Sequence, residues 1–384
     1  MNIPDRVRER AERLADALPA YVYDLAALDR HAAAVRAALR DVELYYAVKA
    51  NPDPALLRAL APYADGFEVS SGGEVAHVRS VLPRARLAFG GPGKTDAELA
   101  LDVHRLHVES PGELRRLIET GAPADALLRV NLAVPVQGAA LAMGGGATPF
   151  GMDPGGVREC LSLLRRQNRV RPRGLHAHLA SGLRAPDLLD LAKAVLGFAR
   201  DLSGEGHIPT SRDLGQDAPA VEVDLGGGMA VSYHDPSELF DWETYGRGLA
   251  ELREPGELLR VEPGRALTAY CGWYLTRVID VKRVHGEVFA VVTGGTHHLR
   301  TPAAKGHDQP LAVLPTGRPG TGATTEPVTV VGQLCTPKDV FARRIPMTVD
   351  VGDIVAFGLA GAYAWTISHH DFLMHPKPGF HYLT

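Results

Sequence analysis

Only three cysteines occur in 384 residues, Cys160, Cys271 and Cys335, and they lie far apart. That spacing describes neither a disulfide framework nor a zinc cluster. No apolar run is long enough to cross a bilayer. The opening Met1-Asn2-Ile3-Pro4-Asp5-Arg6 is charged where a signal peptide would carry an apolar core. A basic excess is missing as well: the formal net charge is -4, which offers no field for nucleic acid. What remains is ordinary, with 45% hydrophobic and 22% charged residues, the balance of a globular protein. The length suits two domains. These absences argue against a secreted disulfide scaffold, a membrane span and a nucleic-acid binder. They leave the expectation of a cytoplasmic enzyme acting on a small molecule.

From residue 42 to about 262, short apolar runs alternate with helical patterns. Strands are expected at 43–48, 67–69, 86–89, 106–108, 127–130, 174–178, 221–224 and 258–261. Helices are expected at 54–60, 73–81, 111–119, 156–166, 185–200 and 236–252. Eight strands alternating with helices predict an α/β fold, a parallel (β/α)8 TIM-like barrel over 31–265. Beyond it the pattern changes. Strands at 267–281, 287–292, 328–332 and 354–358 predict a C-terminal β-domain over 266–384. Within the N-terminal segment 1–30, Tyr21-Val22-Tyr23 reads as a strand joining that β-domain. Residues 301–326 are rich in Pro, Gly and Thr and read as a loop. No internal repeat is evident beyond the barrel alternation.

The C-terminal ends of barrel strands form the active face of this architecture. Here they carry Lys49, Ser70-Ser71-Gly72-Gly73, Gly90-Gly91-Pro92-Gly93, Glu109, Asn131, His178, Gly226-Gly227-Gly228 and Glu262-Pro263-Gly264-Arg265. Lys49 ends an aromatic and aliphatic run just before Ala50-Asn51-Pro52. Desolvation there would lower an amine's pKa, as Schiff-base chemistry requires; the bland alternative is a lysine reaching out to solvent. The triple glycine exposes backbone N–H groups to an anion. With the forked donor of Arg265 and the Ser181 hydroxyl, it describes a phosphate cup. His176-Ala177-His178 has a spacing that suits a metal, but a ring-stacking role for His178 is the favoured reading, with no metal. A carboxylate at Glu262 is suited to a protonated ring nitrogen. Gly93-Lys94-Thr95 resembles the end of a P-loop, but its upstream glycine position is Ala88, which argues against nucleotide binding.

A Schiff-base lysine, a phosphate cup, a stacking histidine and a carboxylate for a ring nitrogen together point to pyridoxal 5'-phosphate. At these residues the chain resembles the fold-type III pyridoxal-phosphate decarboxylases, the ornithine/diaminopimelate decarboxylase family, whose fold is alanine racemase-like. The matching stretches are Tyr46-Ala47-Val48-Lys49-Ala50-Asn51, Phe67-Glu68-Val69-Ser70-Ser71, His178-Leu179-Ala180-Ser181-Gly182, the Asp224 to Gly228 turn, Glu262 to Arg265, Leu334-Cys335-Thr336-Pro337-Lys338-Asp339 and Gly361-Ala362-Tyr363. They run in the family's order along nearly the whole chain. The resemblance implies that Lys49 and His178 are catalytic, with Lys49 holding the cofactor. It places Glu68 beside the lysine, Ser181, Gly228, Arg265 and Tyr363 at the phosphate, Glu262 at the ring nitrogen, and Gly227 and Gly264 among the cofactor-binding residues. It makes Cys335 the acid that reprotonates the substrate carbon, with Asp339 nearby, both reaching the site from the second subunit of a head-to-tail homodimer.

Departures from the family bear on substrate. Pro149-Phe150-Gly151 stands where the family has Lys-Phe-Gly. Thr336 replaces an acidic residue, and Phe372-Leu373-Met374 lacks the usual Phe-Asn pair. These changes speak against free diaminopimelate or ornithine. Met143-Gly144-Gly145-Gly146 and Gly294-Gly295-Thr296-His297-His298 resemble the siderophore and antibiotic branch, which includes decarboxylases of citryl-diaminopropionate and of carrier-protein-linked glutamate. The expected function is decarboxylation of a citryl-diaminopropionate-type intermediate, with Thr336, Asp339, His297, His298 and Arg300 as substrate-binding candidates. A carrier-linked substrate is an alternative, and so is an amino-acid racemase on the same fold. Racemases of this fold use a tyrosine as second base, which Cys335 opposes. A single-barrel cofactor-carrying protein is a further rival, opposed by the β-domain.

Overall fold

Eight parallel strands close into a barrel: Glu43–Ala47, Gly66–Val69, Leu87–Phe89, Arg105–Val108, Ala124–Arg129, Val170–His176, Val221–Asp224 and Glu257–Val261. The architecture is that of a computed structural model describing residues 1–135, 141–205, 221–300, 304, 306–317 and 326–384. The strands are buried almost throughout. That is why they read as continuous apolar runs rather than as an alternation. The chain divides into two compact units. One comprises His31–Ala230 and Phe240–Gly264 and holds the barrel; the other comprises Met1–Arg30, Val231–Leu239 and Arg265–Thr384.

The helices of the barrel unit begin where the local chemistry says they should. Asp53, Ser71, Ser110 and Asp153 each accept a backbone N–H from the first turn of the helix that follows, satisfying donors that the helix itself leaves unpaired. The helix expected at 236–252 starts only at Trp242, where Asp241 caps it. Residues 231–239 belong instead to the second unit.

The barrel interior departs from the usual filling of branched aliphatic residues. Arg105 and His107, Glu222 and Asp224, and Arg260 and Glu262 lie two positions apart on their strands or just past them, so each pair points to one face. In the lower layer, Arg105 Nε donates to Glu222 Oε2 at 2.7 Å. Arg260 donates to Glu43 Oε2 from Nε at 3.0 Å and to Glu222 Oε2 from Nη2 at 3.3 Å. The upper layer, nearer the C-terminal ends, holds His107, His176, Asp224 and Glu262.

The second unit is built on an eight-stranded sheet. Its path runs Leu311–Leu314, Ile354–Phe357, Gly272–Val284, Glu287–Val292, Pro327–Val331 and Val340–Pro346. Ala20–Asp24 joins antiparallel to Gly272–Val284 and parallel to Gly379–Leu383. Its core packs Ile3, and Val7 and Ala11 of the helix Asp5–Arg13, against Val22, Trp273, Leu275 and Ile354. Two sequence expectations change here. The strand expected from residue 267 starts at Gly272, because Arg265–Thr268 and Ala269–Cys271 are helical turns that bury the same apolar residues. The segment expected as a loop at 301–326 contains the strand Leu311–Leu314; residues 301–303, 305 and 318–325 lie outside the described residues. No helix among the described residues is long and apolar enough to cross a membrane.

Candidate active site

The first barrel strand stops at Ala47, and Val48–Ala50 forms a 3-10 turn that carries Lys49 out of the sheet. The lysine is not desolvated by the protein as its neighbours suggested: its side chain is 45% exposed, while its ion-pair partner Glu68 is buried. Its amine is set instead by Glu68, whose Oε2 accepts from Nζ and whose Oε1 accepts from Ser70 Oγ at 3.0 Å. The lysine that burial does press on is Lys94. It is 4% exposed, donates to Glu113 Oε1 at 3.0 Å, and has its pKa lowered by desolvation against the attraction of Glu113. Lys94 also donates to the Gly91 carbonyl at 2.6 Å. Its ammonium thus ties a loop down.

His176 and His178 part company. The sixth strand ends at His176, whose Nε2 lies 3.2 Å from Glu262 Oε2 inside the barrel. His178 lies past the strand. Its Nδ1 accepts from the Gly227 N–H at 3.1 Å, and its Nε2 lies 3.3 Å from Ser181 Oγ. Accepting at Nδ1 selects the neutral tautomer with the proton on Nε2. Burial, helped by the charges of Lys49 and Arg129, pushes His178 down to about 3, so it stays neutral. A neutral imidazole with both nitrogens engaged is a suitable flat face for an aromatic ring.

The triple glycine is required by close packing. A Cβ at Gly227 would lie 2.5 Å from the Glu262 carbonyl oxygen, and one at Gly228 would lie 2.3 Å from that of Ala180. Gly226 and Gly228 have φ of 64° and 103°, where glycine is favoured. The N–H groups of Gly226 and Gly227 are engaged by Asp224 Oδ1 and His178. Gly227 therefore orients the histidine, a role its position in the cup did not suggest. At Gly264 an added Cβ would lie 2.9 Å from that of Ala50, beside the Lys49 turn.

Other strand-end residues hold loops. Glu109 accepts from Arg129 at 2.6 Å, Gly91 N at 3.0 Å and Gly151 N at 2.8 Å, joining three mouth segments. Asn131 bonds the Gly145 N–H and the Gly146 carbonyl, both at 2.9 Å. A cavity of about 520 Å³ opens at the opposite end of the barrel, lined by Asp65, Gly66, Arg84 and Arg86. It lies at the N-terminal ends of the strands, the face that serves stability in this architecture.

Beneath the mouth, Glu262 is buried and its Oε1 has no hydrogen-bond partner among the described residues. Burial, then the charges of Asp224 and Glu68, push its carboxyl well above the usual range. An orphaned buried carboxyl oxygen fits a ring N–H donor. His107, His176 and Glu262 bring one donor atom each within 4.8 Å of one another. The two rings, however, stack at 4.1 Å with an 18° interplanar angle. Parallel rings aim their in-plane lone pairs alongside each other, so they do not converge on a metal.

In the second unit, Arg265 Nη1 donates to Tyr233 Oη at 2.6 Å, and its guanidinium sits 4.5 Å from the centre of the Tyr363 ring. Tyr233 was not singled out in the sequence, since nothing local marks it. Cys335 is exposed and in no disulfide. Its loop is anchored by Asp339, whose Oδ1 accepts from Thr296 N at 2.6 Å and whose Oδ2 accepts from Leu334 N at 2.7 Å. Asp339 thus spends its carboxylate on loop amides rather than on solvent. Thr336 is half-buried in that loop. His297 and His298 are buried, 3.9 Å apart between ring centres, and Tyr274 Oη lies 2.9 Å from His298 Nδ1. Burial and neighbouring histidines, foremost His375 for His297, press the two down to about 4 and about 3. Of the three candidates in this stretch only Arg300 is exposed.

The residues at the barrel mouth therefore suit pyridoxal 5'-phosphate: an amine, a neutral flat imidazole, a glycine cradle that a Cβ would fill, and an orphaned carboxyl oxygen. Residues 25–269 match the family model described as pyridoxal-dependent decarboxylase, pyridoxal binding domain. The chain is 36% identical, over all of its length and 98% of the relative, to the 2-[(L-alanin-3-ylcarbamoyl)methyl]-2-hydroxybutanedioate decarboxylase of Staphylococcus aureus. It is 31% identical, over 94% of its length and 88% of the relative, to the diaminopimelate decarboxylase of Deinococcus radiodurans. In fold it is similar to the Helicobacter pylori diaminopimelate decarboxylase crystallised with L-lysine, with a TM-score of 0.84 at 24% identity, covering 96% of this chain and 92% of that one. The chain belongs to the pyridoxal-dependent decarboxylase family, and its cofactor is pyridoxal 5'-phosphate.

Proposed function

We propose that this decarboxylase acts on an amino-acid conjugate with an anionic hydroxy-carboxylate tail, of the citryl-diaminopropionate type. The observation that carries the reading is the end-to-end similarity to the Staphylococcus aureus enzyme. That enzyme's named substrate joins an alanine β-carbon, through an amide, to a hydroxybutanedioate. Thr336 supports it, because an uncharged residue there offers no carboxylate to a distal ammonium. His297, His298 and Arg300 are the groups assigned to the tail.

Bound pyridoxal 5'-phosphate supplies the electron sink for the bond that breaks between the α-carbon and its carboxylate. Lys49 would hold the cofactor through its amine, with Glu68 next to it to hold or release a proton. His178 would pack its neutral ring against the cofactor. Glu262 would accept from the ring nitrogen and keep a proton there. Ser181, Gly228, Gly264, Arg265 and Tyr363 would bind the phosphate. Cys335 returns a proton to the α-carbon, and Asp339 positions the loop that bears it. Cys335 and Asp339 serve the site of the other subunit in a head-to-tail homodimer.

The test is carbon dioxide release by the purified, cofactor-loaded protein. The panel is the citryl-diaminopropionate conjugate, carrier-linked glutamate, free diaminopimelate, ornithine and lysine. The conjugate is expected to be turned over with the highest kcat/KM. Efficient turnover of free diaminopimelate with none of the conjugate would overturn the substrate and leave the reaction class standing.

A further inference from the structure

Asp224 and Glu262 are two fully buried acids in the upper layer of the barrel, close enough for one side chain to hydrogen-bond the other. Asp224 Oδ2 and Glu262 Oε1 each lack an N–H or O–H donor among the described residues. The same two oxygens each lie 3.9 Å from His107 Nε2. That is too far for a hydrogen bond. Two ionised acids side by side in a closed interior are costly, since neither can accept from the other. One proton between them turns the clash into a bond.

One cation reaches the pair, on the Asp224 side: Arg260 Nη1 lies 3.7 Å from Asp224 Oδ2, and Asp224 Oδ1 accepts from the Gly226 N–H at 3.0 Å. Lys49 is paired with Glu68, and both stand at the strand ends above. His107 and His176 are held neutral, first by burial; the charge of Arg260 adds to this for His107, and the His107 ring, Arg129 and His178 do so for His176. Tyr245, from the helix Trp242–Leu252, is held neutral by burial and by the charge of Asp224. Burial pushes Asp224 up to about 6 against the pull of Arg260, and it pushes Glu262 well above the usual carboxylate range. Arg260 and the Gly226 N–H favour the charged form of Asp224, so Glu262 keeps the proton while nothing cationic faces it.

We propose that Asp224 is a positioning residue for Glu262: the two carboxyls hold one proton between them, and Asp224 carries it whenever Glu262 faces a cationic ring nitrogen. The inference rests on the reading of Glu262 as the ring-nitrogen partner. The step balances. The Glu262 O–H bond breaks, the Asp224 O–H bond forms, and the pair keeps one negative charge throughout. Glu262 is thereby freed to accept from the ring nitrogen without an outside acid or base.

Infrared difference spectroscopy on the holoprotein tests this directly. Wild-type protein labelled with carbon-13 in aspartate or in glutamate carboxyls is loaded with pyridoxal 5'-phosphate or with its 1-deaza analogue, which has no ring nitrogen. The difference between the two loaded forms cancels acids elsewhere. With the natural cofactor at neutral pH, the protonated-carboxyl band is expected to shift on aspartate labelling and to vanish in Asp224→Asn. With the deaza analogue it is expected to shift on glutamate labelling instead. No protonated-carboxyl band with the natural cofactor, but a glutamate band with the analogue, would overturn the role of Asp224 and leave Glu262 as the nitrogen's partner. Identical glutamate-labelled bands with both cofactors would overturn the ring-nitrogen reading itself, and the proposal with it.

Discussion

At the scale of single residues, the proposed chemistry is concentrated in Lys49 and Cys335, and the neighbourhood of each matters more than its type. The protein holds a desolvated lysine, but it is Lys94, locked to Glu113 and to the Gly91 carbonyl. Lys49 is the exposed one, facing Glu68. The loaded protein should be yellow, and borohydride should fix the cofactor to one peptide. Lys49→Ala should abolish both the reducible adduct and turnover. Recovery of the pyridoxyl group on Lys94 would refute the assignment; so would recovery on Lys305, which lies outside the described residues. Cys335→Ala should still bind cofactor and substrate but lose rate by roughly 10²–10⁴, the contribution of one positioned general acid. Single-turnover kinetics separate this from a binding defect, and a loss confined to KM would remove Cys335 from the chemistry.

At the scale of elements, short turns after strands do the positioning. The Gly226-Gly227-Gly228 turn fits only because backbone packs on backbone, and one of its amides orients His178. Asp339 ties Thr296 to Leu334 and so fixes the loop that carries Cys335. The helical turn Arg265–Thr268 starts with an arginine already braced by Tyr233 and Tyr363. A braced guanidinium gives up little freedom when it meets a phosphate. Arg265→Ala should remove a charge-assisted contact of about 1.5–3 kcal/mol. Cofactor affinity should fall by roughly one to two orders of magnitude, at about 1.4 kcal/mol per tenfold. Fluorescence titration of the apoprotein measures it, and an unchanged dissociation constant would dismiss Arg265 from the phosphate.

At the scale of the whole molecule, the proposed site needs two chains: Lys49 from one and Cys335 from its partner. This gives a test independent of any single side chain. Lys49→Ala and Cys335→Ala proteins, each inactive or nearly so, are mixed and allowed to exchange subunits. Random exchange of a dimer yields half hybrids, each with one intact site, so about a quarter of wild-type activity should return. No recovery, with subunit exchange verified by mass, would show that each chain completes its own site.

Much of this protein is legible locally. Strand and helix order follow from apolar periodicity, and Lys49, the triple glycine, Glu262 and Arg265 stand out because strand ends are where barrels keep polar groups. Local pattern also marks Arg105 and His107, Glu222 and Asp224, and Arg260 and Glu262 as same-face pairs on their strands. It cannot say which face, or which partner from a distant strand, each will meet. Barrel closure decided that, setting Asp224 and Glu262 beside His107 and separating His176 from His178 just past a strand end. Folding likewise placed Tyr233 against Arg265 and buried His297 and His298. The sequence by itself determined the elements and the reactive groups at their ends, because those depend on neighbours along the chain. Tertiary structure alone decided the charge state and orientation of those groups, because burial and pairing depend on residues far away in sequence.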